Sequence, residues 1–367
     1  GPKHADHRSY MLPYFHRNFI AKHHDACIEV TERKLSSWKI GSEIKLRDEM
    51  EKLAMWLATK PILGLDPEKE GETLGQRLEE SLKLMFSPFV LLFPYNIPGF
   101  PFYRLLKSAE KLEGVVKDII ATRKAKGVDG DDILSALIRL NAEDPARMSE
   151  NDLIGHTIMF RGGYSPNGMA LYWTLFLLSQ HPEAYKKILH ELDDVLGGEN
   201  PTPEQLDKLP LLDGALKEAM RLIPAGVWTA RYAMQPFKLG NYELQKGTWV
   251  MMSAYVTHRI PEIFPEPYKF KPERWQDIHP SSYEFMSFSA GPRYCIGQSL
   301  AMMQLKIAMS MILQRFSLTL KPGATVDAEG MNSIRAKNGL PMMVSPRNDN
   351  PTVERFKGNI HNIVHFE

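Results

Sequence analysis

Phe288-Ser289-Ala290-Gly291-Pro292-Arg293-Tyr294-Cys295-Ile296-Gly297 is the stretch that decides the fold, and a long apolar segment follows it. Its residues are mostly small or turn-forming, so they read as a loop. Residues 298–316 are apolar on nearly every side, which predicts a buried helix. The loop therefore delivers Cys295 just ahead of a helix N-terminus. A thiolate there gains from the helix dipole and from nearby backbone N–H groups. Such a sulfur is suited to hold a metal, with haem iron as one candidate. The alternative is a buried structural cysteine, the usual fate of a lone thiol. The rest of the chain has to decide between them.

Two further segments bear on that decision. In Lys217-Glu218-Ala219-Met220-Arg221-Leu222, Glu218 and Arg221 lie three apart on a helical stretch, share a face and can pair. Alone, such a pair is commonplace. Farther along comes Phe270-Lys271-Pro272-Glu273-Arg274-Trp275. In order and spacing, the three segments together resemble the cytochromes P-450, over nearly the whole chain. The loop fills every fixed position of that family's haem-binding pattern: Phe288, Gly291, Arg293, Cys295 and Gly297.

The resemblance implies a haem b cofactor with Cys295 as the axial thiolate ligand of the iron. It implies that Glu218, Arg221 and Arg274 form a buried charge triad locking the segment beneath the haem. Bidentate guanidinium–carboxylate geometry explains the use of Arg rather than Lys there. Arg8, Arg231 and Arg293, with His4 beside them, are expected at the haem propionates. Ile158, Arg161 and the loop from Ala225 to Thr229, including Val227 and Trp228, are expected to line the substrate pocket.

One segment departs from the family pattern. The family carries Ala or Gly, Gly, any residue, an acid and Thr, where this chain reads Gly162-Gly163-Tyr164-Ser165-Pro166. The glycines are kept, but Ser165 replaces the acid and Pro166 the threonine that deliver protons. Pro166 is expected to kink one long helix over 151–180 and to free the Gly162 carbonyl, which could hold a water. Arg161 stands where the family has an apolar residue. Such a charge is costly without an anion to meet it, so it either meets a substrate carboxylate or turns away to pair with an acid.

Composition agrees with an apolar small-molecule enzyme. The 367 residues are 43% hydrophobic and 24% charged with net charge +1, which excludes a bias toward nucleic acid. Two cysteines, Cys27 and Cys295, make no disulfide framework and fit a reducing compartment, so the cytoplasm is expected. No apolar run reaches membrane-spanning length, since Phe89-Val90-Leu91-Leu92-Phe93 stops at Pro94. The opening, with His4 and Arg8 in a pattern the family places well inside its fold, implies a chain lacking the N-terminal strands and first helices. A membrane anchor would lie in that part.

The pattern along the chain predicts a mainly α protein with small β-sheets. Residues 16–60 and 104–124 read as amphipathic helices, and another begins at His181-Pro182 and ends at Gly197-Gly198. Residues 237–252 turn to β, with a hairpin at Gly240-Asn241. A single haem-binding catalytic domain over 1–367 is expected, starting inside the family fold. The leading functional reading is a monooxygenase. It hydroxylates a hydrophobic small molecule with dioxygen and electrons from a separate ferredoxin or reductase, since no flavin or nicotinamide fingerprint is visible. The alternatives are a peroxide-driven or rearranging enzyme of the same family, and a low-turnover haem-binding protein.

Overall fold

Among the described residues, eleven helices of ten residues or more carry the architecture. They are α1 (Pro2–Met11), α2 (His24–Leu35), α3 (Leu46–Leu63), α4 (Glu70–Met85), α5 (Pro101–Lys126) and α6 (Ile133–Glu143), then α7 (Glu150–Gly162), α8 (Tyr164–Gln180), α9 (Pro182–Leu196), α10 (Pro210–Leu222) and α11 (Gln298–Leu313). The computed structural model describes every residue except Phe86, Asp129, Met331 and Glu367; the side-chain surroundings of Leu91, Phe160, Arg161 and Gly162 are also outside the description.

The local signals explain several boundaries. Helix α9 starts on Pro182, whose missing N–H costs nothing at a first turn. It buries Tyr185, Ile188, Leu189 and Leu192 and ends on Gly197, which takes the left-handed conformation (φ 59°). Helix α11 buries eleven of its sixteen residues, as its all-round apolar sequence requires. It stops at Leu313, earlier than the sequence suggests, because Phe316 already begins a strand.

The expected single helix over 151–180 is instead two, α7 and α8, with Gly163 between them. Pro166 is the third residue of α8, where backbone N–H groups have no intrahelical partner anyway. The chain thus accommodates the proline by restarting the helix rather than by sacrificing an interior hydrogen bond.

The chain divides into two compact units, Asp25–Thr31 with Glu51–Gly168, and Gly1–His24 with Glu32–Met50 and Met169–Glu367. In the former, α4 packs on α5 through a buried Ser81–Ser108 hydrogen bond of 2.8 Å. Arg123 there bonds Asp132 (2.7 Å) and the Leu63 carbonyl (2.9 Å), while Asp132 caps α6 by accepting from the Ser135 N–H.

The larger unit holds the sheets. Strand β1 (Glu43–Lys45) pairs antiparallel with β9 (Pro341–Pro346), which also pairs with β6 (Phe316–Leu320). Strand β2 (Trp228–Tyr232) pairs with β5 (Trp249–Ser253). The hairpin expected at Gly240-Asn241 joins β3 (Phe237–Leu239) to β4 (Tyr242–Leu244), and β7 (Ala328–Glu329) pairs with β8 (Arg335–Ala336). Among the described residues no helix is long and apolar enough to cross a membrane.

Candidate functional site

The loop before α11 is built by two left-handed residues, Ser289 (φ 61°) and Gly291 (φ 65°). They fold it back so that the Cys295 N–H donates to the Phe288 carbonyl at 2.8 Å. A side chain on Gly291 would lie 3.4 Å from the Tyr283 hydroxyl as well as straining the backbone. Cys295 is a free, exposed cysteine two residues before Gly297, the N-cap of α11. The residue is exposed, yet enough protein surrounds its thiol to push the pKa up. The Gly297 N–H, which donates to the sulfur, and the charge of Arg8 act in the opposite sense. Phe288 is half-buried beside it.

Positive charge gathers at this loop. Arg8 on α1 donates to the Tyr294 carbonyl at 2.8 Å, tying the loop to the helix. The pKa of His4 is lowered, first by partial desolvation and then by the charges of Arg293 and Arg8. So Arg8 and Arg293 supply the positive charge here and disfavour protonation of the nearby His4. Arg231 sits apart on β2, exposed, bonding Thr229 Oγ1 (2.9 Å) and the Ala230 carbonyl (3.0 Å). Thr229 and Trp228 line a cavity of about 150 Å³ with Gly226, Met252 and the loop residues Met286, Ser287 and Ser289. Strand β2 and the cysteine loop therefore face one space. Val227 is half-buried, and its N–H donates to the Asn332 carbonyl at 2.9 Å.

The triad residues meet. Glu218 and Arg221 are fully buried, and Arg221 donates to both carboxylate oxygens of Glu218 at 2.9 Å. Arg274 adds a third bond at 2.9 Å, the Trp275 indole N–H a fourth at 3.0 Å and the Lys271 N–H a fifth at 3.1 Å. Arg221 also donates to the His258 and Pro267 carbonyls, each at 2.8 Å.

Sequence reasoning missed His258. Its imidazole is fully buried, with Nδ1 donating to the Arg221 carbonyl (3.1 Å) and Nε2 accepting from the Met286 N–H (2.8 Å). It thus joins the triad to the cysteine loop. The only sequence signal is a histidine in the segment after β5. Burial, outweighing the hydrogen bond to Arg221, lowers its pKa to about 3. The unfolded chain takes up this proton below about pH 6.5 and the folded chain does not. The group is therefore neutral to stability above that pH and costs about 1.4 kcal/mol per pH unit below it, down to about 3. His258→Asn cannot titrate. Its deficit in unfolding free energy against the parent chain is expected to shrink by about 2 kcal/mol between pH 7 and pH 5 in urea titrations. A constant deficit would show that His258 is not held neutral.

The family profile described as cytochrome P-450 matches residues 1–340. The chain belongs to the cytochrome P-450 family. Its relatives include a cyclooctat-9-en-7-ol 5-monooxygenase of Streptomyces melanosporofaciens, 28% identical over 95% of this chain and 77% of the relative. A sterol 14alpha-demethylase of Mycolicibacterium vanbaalenii is 30% identical over 80% of this chain and 68% of its own length. Among solved structures, the retinoic-acid-bound cyanobacterial CYP120A1 superposes with a TM-score of 0.84 at 22% identity, covering 94% of this chain and 78% of the other. The family is one of haem-thiolate monooxygenases with haem b as cofactor, and this chain is a cytochrome P-450 of that general type.

The residues of this cytochrome P-450 fit that cofactor. An exposed thiol, supported by a backbone N–H, stands beside a cationic group suited to carboxylates. The expected catalytic residues lie on the other compact unit. Gly163 is the exposed break between α7 and α8, Ser165 is half-buried in the first turn of α8, and Ile158 is half-buried on α7. The expectations for the Arg161 side chain and the Gly162 carbonyl lie outside the described residues.

Proposed function

We propose that this chain inserts one oxygen atom of dioxygen into an apolar small molecule, using electrons from a separate ferredoxin or reductase. The observation that carries the reading is the Cys295 loop: an exposed thiol receiving the Gly297 N–H at the mouth of a helix, with His4, Arg8 and Arg293 gathered beside it. Haem, when bound, supplies the activation of dioxygen. The chain's own residues do the rest. Cys295 Sγ, as thiolate, would hold the haem iron, and donors such as the Gly297 N–H would set how much charge the sulfur keeps. Arg8 and Arg293, with His4, would hold the two propionates by charge-assisted hydrogen bonds, with Arg231, now bonded to Thr229, as a further candidate. Val227 and Trp228, with the Thr229 methyl, would present a largely apolar wall to the substrate.

Proton supply separates this reading from peroxide-driven turnover. Ser165 Oγ can relay a proton from water but is no acid at neutral pH, and Pro166 offers no donor. A carboxylate substrate met by Arg161 would supply the missing acid–base group, and that favours the peroxide reading. Ligands that shift the haem absorbance, screened from neutral apolar compounds and carboxylic acids, give the substrate for the test. With Ser165→Asp/Pro166→Thr, product formed per electron consumed is expected to rise severalfold with dioxygen. Unchanged coupling together with lost peroxide turnover would overturn the monooxygenase reading in favour of the peroxide-driven one. No product from either oxidant would leave a haem-binding protein.

A further inference from the structure

Beyond β9 the chain runs on past the last residue matched by the family profile, and its final stretch closes over the larger unit as a strap from Phe356 to Phe366. The strap is held at three places. At its start, the Val326 N–H donates to the Lys357 carbonyl (2.8 Å), and Asn359 bonds Asp327 and Ala328. Gly358 has φ 140°, and a Cβ there would stand 2.0 Å from the Val326 carbonyl oxygen, so only glycine allows this approach.

In the middle, Phe356 and Phe366 pack edge-on at 5.1 Å, and both meet the fully buried Phe176 on α8 (5.4 and 5.9 Å). Ile360 and Val364 are fully buried. At its end, the His365 N–H donates to the Tyr268 carbonyl (2.9 Å) and the two rings stack at 5.0 Å.

Arg259 links this strap to the functional site. It is 8% exposed, and its guanidinium lies 3.7 Å from the Tyr255 ring centroid and 5.4 Å from that of Tyr268. One nitrogen, Nη2, donates both to the Leu222 carbonyl at the end of α10 (2.7 Å) and to the Ile363 carbonyl of the strap (3.1 Å). The preceding residue is His258, which holds the Met286 N–H. Three residues on, the Met286 carbonyl accepts from the Ser289 N–H (2.8 Å), and Phe288 accepts from Cys295 (2.8 Å). A continuous set of bonds therefore runs from Ile363 through Arg259 and His258 to the cysteine loop.

We propose that the strap Phe356–Phe366, acting through Arg259 and His258 as positioning residues, sets the geometry of the Cys295 loop. A loosened strap frees Arg259 to shift along with its neighbour, and the Met286 bond that shapes the loop is then lost part of the time. The proposal rests on Cys295 as the haem ligand and adds what holds that ligand in place.

The test compares haem-loaded parent protein with Phe366→Ala, Arg259→Gln and a chain ending at Asn350. Val353→Ser, outside the strap and 43% exposed, is the control. The readouts are the fraction of the ferrous carbon monoxide complex with the red-shifted thiolate band, and amide hydrogen exchange at Met286 and Cys295. All three variants should lose the red-shifted fraction severalfold at equal haem content and exchange Met286 and Cys295 roughly tenfold faster, while the control matches the parent. A synthetic peptide of residues 351–367 should restore the band in the shortened chain. If that chain fails to fold, Phe366→Ala and Arg259→Gln decide alone. Parent-like bands and exchange in Phe366→Ala and Arg259→Gln, whatever their melting temperatures, would overturn the proposal. A parent protein with no red-shifted band would instead overturn the assignment of Cys295.

Discussion

Arg221→Ala is expected to leave almost no folded, haem-loaded protein. The side chain is fully buried and holds both oxygens of Glu218 together with the carbonyls of His258, Pro267 and Lys269. Truncation leaves a buried carboxylate short of two charged bonds and removes a donor from three carbonyls, that of His258 buried and those of Pro267 and Lys269 partly so. Breaking a buried ion pair by removing one partner costs roughly 3–5 kcal/mol, a large share of the roughly 5–15 kcal/mol that holds a domain folded. Arg221→Lys should fare little better, because one ammonium cannot reach five acceptors spread around a planar fork. Soluble yield, denaturation midpoint and haem content check this. A variant with parent-like yield and haem content would mean that Glu218 is satisfied by Arg274, Trp275 and Lys271 alone.

The network also shows where sequence reading reaches and where it stops. Glu218 and Arg221 share a helix face, so spacing alone suggests their bond. Arg274 lies 56 residues from Glu218, and only the family resemblance linked them. Trp275 stood in the same quoted segment, but nothing in the sequence says that its indole N–H would turn to Glu218. Helix α9 was legible because its signals are local: a proline at one end, a glycine at the other, and apolar residues at helical spacing between. The break at Gly163 was not, because an apolar run looks the same whether one helix or two run through it. His258, Arg259 and the strap reach the site through distant partners, such as the 104-residue separation between Arg259 and Ile363. No local pattern encodes such a contact.

Cys295→Ala is expected to abolish the red-shifted carbon monoxide band of the ferrous protein. The band depends on a thiolate ligand, and the loop presents this one sulfur, free and exposed, with the Gly297 N–H directed at it. Cys27 cannot substitute. It is fully buried on α2, within the turn where the Thr31 hydroxyl donates to its carbonyl. Cys27→Ala should therefore keep the band, which makes it the matched control for thiol loss. Groups that merely orient a metal ligand typically cost 10–100-fold when removed, so loss of the ligand itself should reduce product formation by more than about a hundredfold. Helix α11 and the bond from Arg8 to the Tyr294 carbonyl do not depend on the sulfur, so the alanine variant should still fold. Its melting temperature without haem should stay close to that of the parent, separating a lost ligand from a lost fold. A red-shifted band that survives in Cys295→Ala would place the ligand elsewhere and remove the observation on which the monooxygenase reading rests.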